Sequence, residues 1–224
     1  MEAAWKNGAG AEATVPGGNA PLNGATDESG DAAVDEFAAQ RARLYGLLAT
    51  LLARPPDRNL LTALAGLTPD ASPIGRALGR LRDAAGEADP FETEREYNRL
   101  FIGLQRGELV PYASFYLTGF LQDRPLIRVR EDMARLGLER APDVAEPEDH
   151  AAALLEMMGA LAEGALDAAP EEEARFFERH CKPWLAKFFR DLERADSARF
   201  YRPVGALGRL FMEIEAEAFA LADA

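Results

Sequence analysis

Apolar residues along the chain recur at spacings of three and four positions, the period of an α-helix with one buried face. The first stripe begins near Val34 and runs to Leu52, and the two prolines of Arg54–Asp57 end it. Further stripes lie at residues 60–67, 74–81, 90–102, 125–138, 148–163, 170–181, 184–192 and 197–221. The sequence shows no convincing alternation of apolar and polar residues of the kind that is typical of a strand. The pattern predicts an all-α domain of about eight to ten helices.

Two stretches stand outside this pattern. Residues 1–30 are rich in Gly, Ala, Asn and Thr, so we expect a disordered leader there and a helical domain over residues 31–224. The other stretch is "GLQRGELVPYAS" at Gly103–Ser114, which is long for a connection between helices and is flanked by aromatic residues. It serves either as a plain connection or as the wall of a groove.

The charge of the chain narrows the choice of partners. With 25 Lys and Arg against 38 Asp and Glu among 224 residues, the formal net charge is −13. Such a surface repels nucleic-acid phosphates and anionic lipids, so we expect neither as a partner. A cationic partner fits better, although an acidic surface that is merely solvated fits the composition as well.

Cysteine content and hydropathy indicate the compartment. Cys181 is the single cysteine, which excludes an intrachain disulfide and fits a reducing environment. The sequence contains no apolar run of the roughly 18–20 residues that a membrane-spanning helix needs. Its N-terminus also lacks the apolar core of a secretory signal. We therefore predict a cytoplasmic protein without stable membrane insertion.

The segment "EPEDH", Glu146–His150, directly precedes the apolar run "AAALLEMMGALAEG". Pro147 suits the first position of a helix, so we expect Glu148, Asp149 and His150 in the first turn, where acids favour the helix dipole. This structural interpretation does not account for His150, because a protonated imidazole there needs a nearby carboxylate such as Asp149 or Glu146. A half-buried Asp149–His150 pair would serve either catalysis or ligand binding.

Other catalytic signatures are missing from the sequence. Two histidines and one cysteine do not make up a His/Cys zinc site, and no nucleophile elbow, phosphate loop or dinucleotide fingerprint occurs. His180 and Cys181 are neighbours on a helix and point in different directions, so we interpret His180 as a core histidine near Trp184. We predict no catalytic and no metal-binding residue. An enzyme that uses Asp149 and His150 as an acid–base pair is the alternative.

Three blocks of the sequence, taken together, resemble a known family. They are "EYNRLFIGLQRGELVPYASFYLTG" at Glu96–Gly119, "EPEDH" ahead of "AAALLEMMGAL", and "FFERHCKPWLAKFFRDLERADSARFYRPVGALGRLF" at Phe176–Phe211. Their order and spacing over roughly residues 35–220 are similar to the TorD/DmsD family of cytoplasmic chaperones for molybdenum enzymes. The "EPEDH" block is the most specific of the three.

The resemblance implies an all-helical fold and a chaperone function. Family members bind the twin-arginine signal peptide of a partner oxidoreductase, hold the apo-enzyme ready for insertion of molybdopterin guanine dinucleotide, and delay export. Matching the blocks residue by residue assigns eleven positions to the peptide-binding site: Glu146, Pro147, Glu148, Asp149, His150, Tyr97, Phe101, Gly103, Pro111, Tyr112 and Ser114.

Physical chemistry is consistent with that assignment. A guanidinium group makes bidentate contacts with carboxylates, for which Asp149, Glu146 and Glu148 are the candidates. An apolar groove would supply most of the binding free energy, at about 25 cal/mol per Å² buried before the costs of association.

Cofactors and assembly are less constrained by the sequence. We expect no resident cofactor, with a transient contact to molybdopterin guanine dinucleotide or GTP left open. We also expect either a monomer or a domain-swapped dimer. A stable accessory subunit of an oxidoreductase complex is a further alternative to the chaperone.

Overall fold

The computed structural model describes residues 5–7, 28–104, 106–141, 144–169 and 171–222. Within these ranges the chain is all-α, as predicted, with ten α-helices, two π-helical segments and two short strands. The elements are β1 (Trp5–Asn7), α1 (Glu28–Ala53), α2 (Arg58–Ala65), α3 (Pro73–Glu87), α4 (Pro90–Tyr97), α5 (Ala113–Thr118), α6 (Arg124–Arg135), β2 (Leu138–Arg140), α7 (Ala151–Ala162), α8 (Glu171–Phe176), α9 (Leu185–Arg194) and α10 (Tyr201–Ala222). The π-helical segments are Asn98–Ile102 and Phe177–Cys181.

Asp and Ser side chains, which are typical of helix starts, cap several of the helices. Asp57 accepts a hydrogen bond from the Leu60 N–H at 2.8 Å, and Ser72 accepts one from the Gly75 N–H at 2.9 Å. Each of these bonds satisfies an amide that has no partner inside the helix. Asp89 does the same for the start of α4.

The helix predicted over residues 90–102 does not keep one geometry. It is α-helical to Tyr97 and then widens into the π-helical segment, where the Gly103 N–H donates to the Asn98 carbonyl at 2.7 Å. The stripe predicted at 170–181 changes in the same way, with the Lys182 N–H donating to the Phe177 carbonyl at 2.9 Å. Spacings of three and four do not distinguish these two geometries, because a π-turn inserts only one extra residue.

The core lies between two pairs of packed helices, α1 against α7 and α9 against α10, with α3 also against α10. Its largest fully buried side chains include Tyr45, Trp184, Tyr201, Phe188 and Phe211. Burial of such aromatic groups contributes much of the apolar free energy of folding. The α1–α7 pair also supplies one wall of the candidate site.

The two strands are a departure from the predicted pattern. β1 and β2 form an antiparallel pair in which Trp5 lies opposite Arg140, Lys6 opposite Glu139 and Asn7 opposite Leu138. Three residues are too few for alternation to be recognisable in the sequence. The predicted disordered leader over residues 1–30 lies mostly outside the described residues. Those described within it, 5–7 and 28–30, belong to β1 and to the first turn of α1.

Candidate functional site

The "PYAS" and "EPEDH" segments, distant in sequence, pair with each other in the structure. Tyr112 and His150 form an antiparallel bridge. On either side of it, the Ala113 N–H donates to the Asp149 carbonyl at 2.9 Å and the Ala151 N–H donates to the Pro111 carbonyl at 2.8 Å. The two motifs are therefore one structural unit, and a shift of either would move the other.

Asp149 strengthens this unit through its side chain. Its carboxylate is fully buried, and Oδ2 accepts a hydrogen bond from the Ser114 N–H at 2.8 Å. The Ser114 hydroxyl in turn accepts one from the Gln122 N–H at 3.2 Å. Asp149 therefore holds the start of α5 in place and is not exposed to a ligand, which differs from the predicted contact with a guanidinium group.

His150 begins α7, and this corrects the predicted start of the helix at Glu148. The His150 N–H donates to the Pro147 carbonyl at 3.0 Å and closes a turn, while His150 itself is extended with φ −67° and ψ 141°. Its Nδ1 then accepts a hydrogen bond from the Ala152 N–H at 3.1 Å. Glu148 and Asp149 consequently lie before the helix, because an imidazole, and not a carboxylate, is the N-cap.

The predicted Asp149–His150 pair is not formed, because each side chain bonds elsewhere. Burial lowers the pKa of His150 from 6.5 to about 4, and the charge of Glu146 offsets part of this effect. The imidazole is thus neutral at pH 7. Since Nδ1 is an acceptor, Nε2 carries the proton and is a hydrogen-bond donor.

A cleft of about 300 Å³ lies beside this unit. Seven of the eleven predicted residues line it: Tyr97, Phe101, Pro111, Tyr112, Glu146, Glu148 and His150. Apolar residues from α1, α6, α7 and the nearby loops complete the lining: Ala53, Ile102, Met133, Val144, Ala145, Ala152, Ala153 and Met157. Glu156 and Arg140 are its further polar residues. An apolar pocket with a few polar groups is the usual form of a binding site.

The π-helical segment after α4 shapes one side of this cleft. It brings Phe101 next to Tyr97, with ring centroids 5.0 Å apart in an edge-to-face arrangement. The Tyr97 hydroxyl donates to the Leu52 carbonyl at 3.0 Å, and burial raises the pKa of Tyr97 to about 12. Gly103 ends the segment with φ +62°, and a Cβ there would lie 2.0 Å from the Arg106 carbonyl oxygen. Gly103 therefore permits the turn and does not line the cleft.

The carboxylates of the cleft differ in their partners. Glu148 is paired with Arg130 at 2.9 Å and lies 3.6 Å from Arg140, so its charge is already compensated. Glu146 is exposed and accepts a hydrogen bond from the Tyr112 hydroxyl. Burial, and after it this contact, raises the pKa of Tyr112. In the described part of the chain Glu146 has no ion pair, so its charge is available for a cation.

Four of the predicted site residues do not line the cleft: Pro147, Asp149, Gly103 and Ser114. They belong to the turns that hold the surrounding segments in place. Met157, Glu156 and Arg140 line the cleft but escaped sequence reasoning. Met157 and Glu156 belong to α7, whose apolar pattern is typical of a core helix, and Arg140 belongs to the strand β2, which was not predicted. The described residues hold no cluster of three or more His, Cys, Asp or Glu that would suit a metal ion.

Comparison with known proteins identifies the family. The model of the nitrate reductase delta subunit family matches residues 68–190, more than half of the chain. The chain belongs to this family. The finding confirms the resemblance to the TorD/DmsD chaperones that the three sequence blocks indicated.

Individual relatives agree with the family assignment. The chaperone protein TorD of Vibrio atlanticus is 29% identical over 209 residues, which cover 82% of this chain and 96% of the relative. The TorD of Shewanella loihica is 28% identical over 204 residues, covering 80% and 92%. A solved structure described as a redox enzyme maturation protein from Archaeoglobus fulgidus shares the fold, with a TM-score of 0.55 and 20% identity over 77% of this chain and 93% of that one.

Along the described residues, none of the helices has the length and apolar character required to traverse a bilayer.

Proposed function

We propose that this chain is a cytoplasmic chaperone for a molybdenum oxidoreductase. It binds the twin-arginine signal peptide and the apo form of its client, assists cofactor insertion, and delays export. The observation that carries the proposal is the apolar cleft at the junction of the two family motifs, with Glu146 exposed at its rim. The relatives named as chaperones support the same conclusion.

The cleft suits a segment that is both basic and apolar. A guanidinium group would meet the Glu146 carboxylate, where a charge-assisted bidentate contact is available. Apolar side chains of the segment would pack on Phe101, Ile102 and Met157. The Nε2–H of His150 would donate a hydrogen bond to a carbonyl oxygen of the peptide main chain.

Binding without chemical conversion is the function that these groups support. A general base needs a free lone pair, and the Nδ1 lone pair of His150 is taken by the Ala152 N–H. The Asp149 carboxylate is buried against Ser114 and does not orient the imidazole. We infer that the chain is not an enzyme.

Cofactor and assembly belong to the same proposal. We propose that no cofactor resides in the chain, and that any contact with molybdopterin guanine dinucleotide or GTP is transient and tied to the client. The net charge of −13 argues against nucleic acid as a partner. The chain acts as a monomer or as a domain-swapped dimer.

Calorimetry with a peptide containing two adjacent arginines and an apolar stretch tests the proposal. Glu146→Gln should weaken binding by about threefold to tenfold, roughly 1 kcal/mol, because it removes one charge at a partly exposed site. The affinity of the unmodified chain should also fall as salt rises.

Glu87→Gln is the matched control, since it makes the same change at an exposed position of α3 that does not line the cleft. The peptide should bind this variant as it binds the unmodified chain. Equal affinity of the Glu146→Gln and Glu87→Gln variants, with no salt dependence, would remove Glu146 from the site. A pull-down that recovers no molybdoenzyme precursor from anaerobically grown cells would count against the chaperone role.

A further inference from the structure

The strand β2 forms part of the rim of the cleft. Arg140, its last residue, lines the cleft and lies 3.6 Å from Glu148. Leu138, two residues earlier, is 3% exposed and belongs to the core. Because side chains two apart on a strand share a face, the face of β2 that packs on the core continues into the cleft. A strand that pairs with Arg140 therefore lies next to a residue that lines the cleft.

The chain's own residues Trp5–Asn7 occupy this position. They pair with β2 in antiparallel register, with Trp5 opposite Arg140 at the end that reaches the cleft. The described sheet consists of these two strands, so β1 covers an edge of β2 and no third strand supports it. A pair of three-residue strands is only marginally stable by itself in water. It is therefore well suited to be exchanged for another extended segment.

We propose that β1 is an internal competitor of the client leader for the edge of β2. In this inference, which rests on the proposed function, an extended part of the leader displaces Trp5–Asn7 and forms main-chain hydrogen bonds with Leu138–Arg140. Strand addition of this kind supplies affinity through the backbone and leaves specificity to neighbouring pockets. Here Glu146 and the apolar lining provide those pockets.

The competition has a quantitative consequence. The apparent affinity for the leader equals the intrinsic affinity multiplied by the fraction of molecules whose β2 edge is open. If the paired form is about ten times as populated as the open form, the pairing lowers the apparent affinity for the leader about tenfold. Removal of β1 should therefore tighten binding, whereas removal of an ordinary part of the binding site would loosen it.

The test is a titration of a fluorescein-labelled synthetic peptide, two adjacent arginines followed by ten leucines and alanines, against two proteins. One is the full chain and the other lacks residues 1–7. We expect the shortened chain to bind about threefold to tenfold more tightly. A full-length variant with Trp5→Pro, Lys6→Pro and Asn7→Pro should bind as tightly as the shortened chain, because proline has no N–H and the triple change removes every donor that β1 has for the ladder. Lys6→Arg, which keeps both charge and strand, should match the unmodified chain.

Amide hydrogen exchange supplies a second measurement. Exchange at Leu138–Arg140 should be faster in the shortened chain than in the full chain, and the peptide should slow it again. Equal or weaker affinity of the shortened chain would overturn the inference and leave the proposed function intact. Absence of peptide binding to either form would reject the proposed function, and the competition with it.

Discussion

The two histidines of this chain are buried to a similar extent, but their ring nitrogens have different hydrogen-bond partners. His180 is 4% exposed, and its Nε2 lies 2.6 Å from Oδ2 of the buried Asp132, which also accepts from Arg135 and Arg179. His150 is 7% exposed, uses Nδ1 to cap a helix and presents its remaining side to the cleft. The Nε2 of His180 is engaged by a carboxylate, while His150 lines the cleft and keeps its Nε2–H as a donor.

The difference separates structural from functional polar groups. The His–Asp hydrogen bond that resembles a catalytic pair is His180–Asp132, and it lies in the core next to Trp184, whose indole N–H donates to the His180 carbonyl at 2.8 Å. The adjacent Asp149 and His150, which look like a pair in the sequence, bond in different directions. Burial lowers the pKa of both imidazoles, so a pKa shift alone does not identify the ligand site.

Among the changes that test this comparison, Asp132→Ala should have the largest effect on stability. The change leaves His180 and two partly buried guanidinium groups without their shared carboxylate, which should lower the free energy of unfolding by about 3 kcal/mol. Urea unfolding measures the loss, and Glu131→Ala on the exposed side of the same helix should stay within about 0.5 kcal/mol. Peptide affinity of the folded Asp132→Ala variant should be unchanged. A large loss of affinity would show that the two regions are coupled.

The next largest effect should be the pH dependence of stability that His150 contributes. The folded-state pKa of His150 is about 4 against 6.5 when unfolded, so the unfolded chain binds the extra proton first. Stability is therefore fully present above pH 6.5 and is lost as pH falls from 6.5 towards 4, by up to about 3 kcal/mol for this group. Urea unfolding at pH 7 and pH 5 measures the change.

His150→Asn supplies the control for that window, because asparagine also caps helices and does not titrate. The variant should lose less stability between pH 7 and pH 5 than the unmodified chain. If both lose the same amount, the titration belongs to another group, with His180 the first to examine since burial lowers its pKa too.

A smaller effect is expected for Asp149→Ala, which leaves the buried Ser114 N–H without its acceptor. We expect a loss of about 2 kcal/mol in unfolding free energy and weaker peptide binding, because the turn that carries Tyr112 is no longer held. Asp149→Asn keeps an acceptor oxygen and should therefore retain most of the stability and most of the peptide affinity. An Asn variant as damaged as the Ala variant would show that the charge itself matters at this position.

Sequence reasoning named residues that the structure brings to one cleft, together with residues that support the backbone of that cleft. The motif residues Tyr97, Tyr112 and His150 do line one cleft, as the blocks suggested. Asp149 was predicted to contact the ligand, and the structure places it beneath the turn. Nothing in the spacing separates these two roles, because adjacent residues outside a helix can face opposite sides of the chain.

Helix content, the capping residues Asp57 and Ser72, and the family of this protein were all readable from the chain, because periodicity, caps and motif spacing are local properties of sequence. The π-turn that places Phe101 and the imidazole cap of α7 are local, but helical spacing does not distinguish them from an ordinary helix. The compensation of Glu148 by Arg130 and the pairing of Trp5–Asn7 with β2 depend on segments that are distant along the chain. Only tertiary packing determines which of those segments meet, and therefore which carboxylate keeps its charge for a ligand.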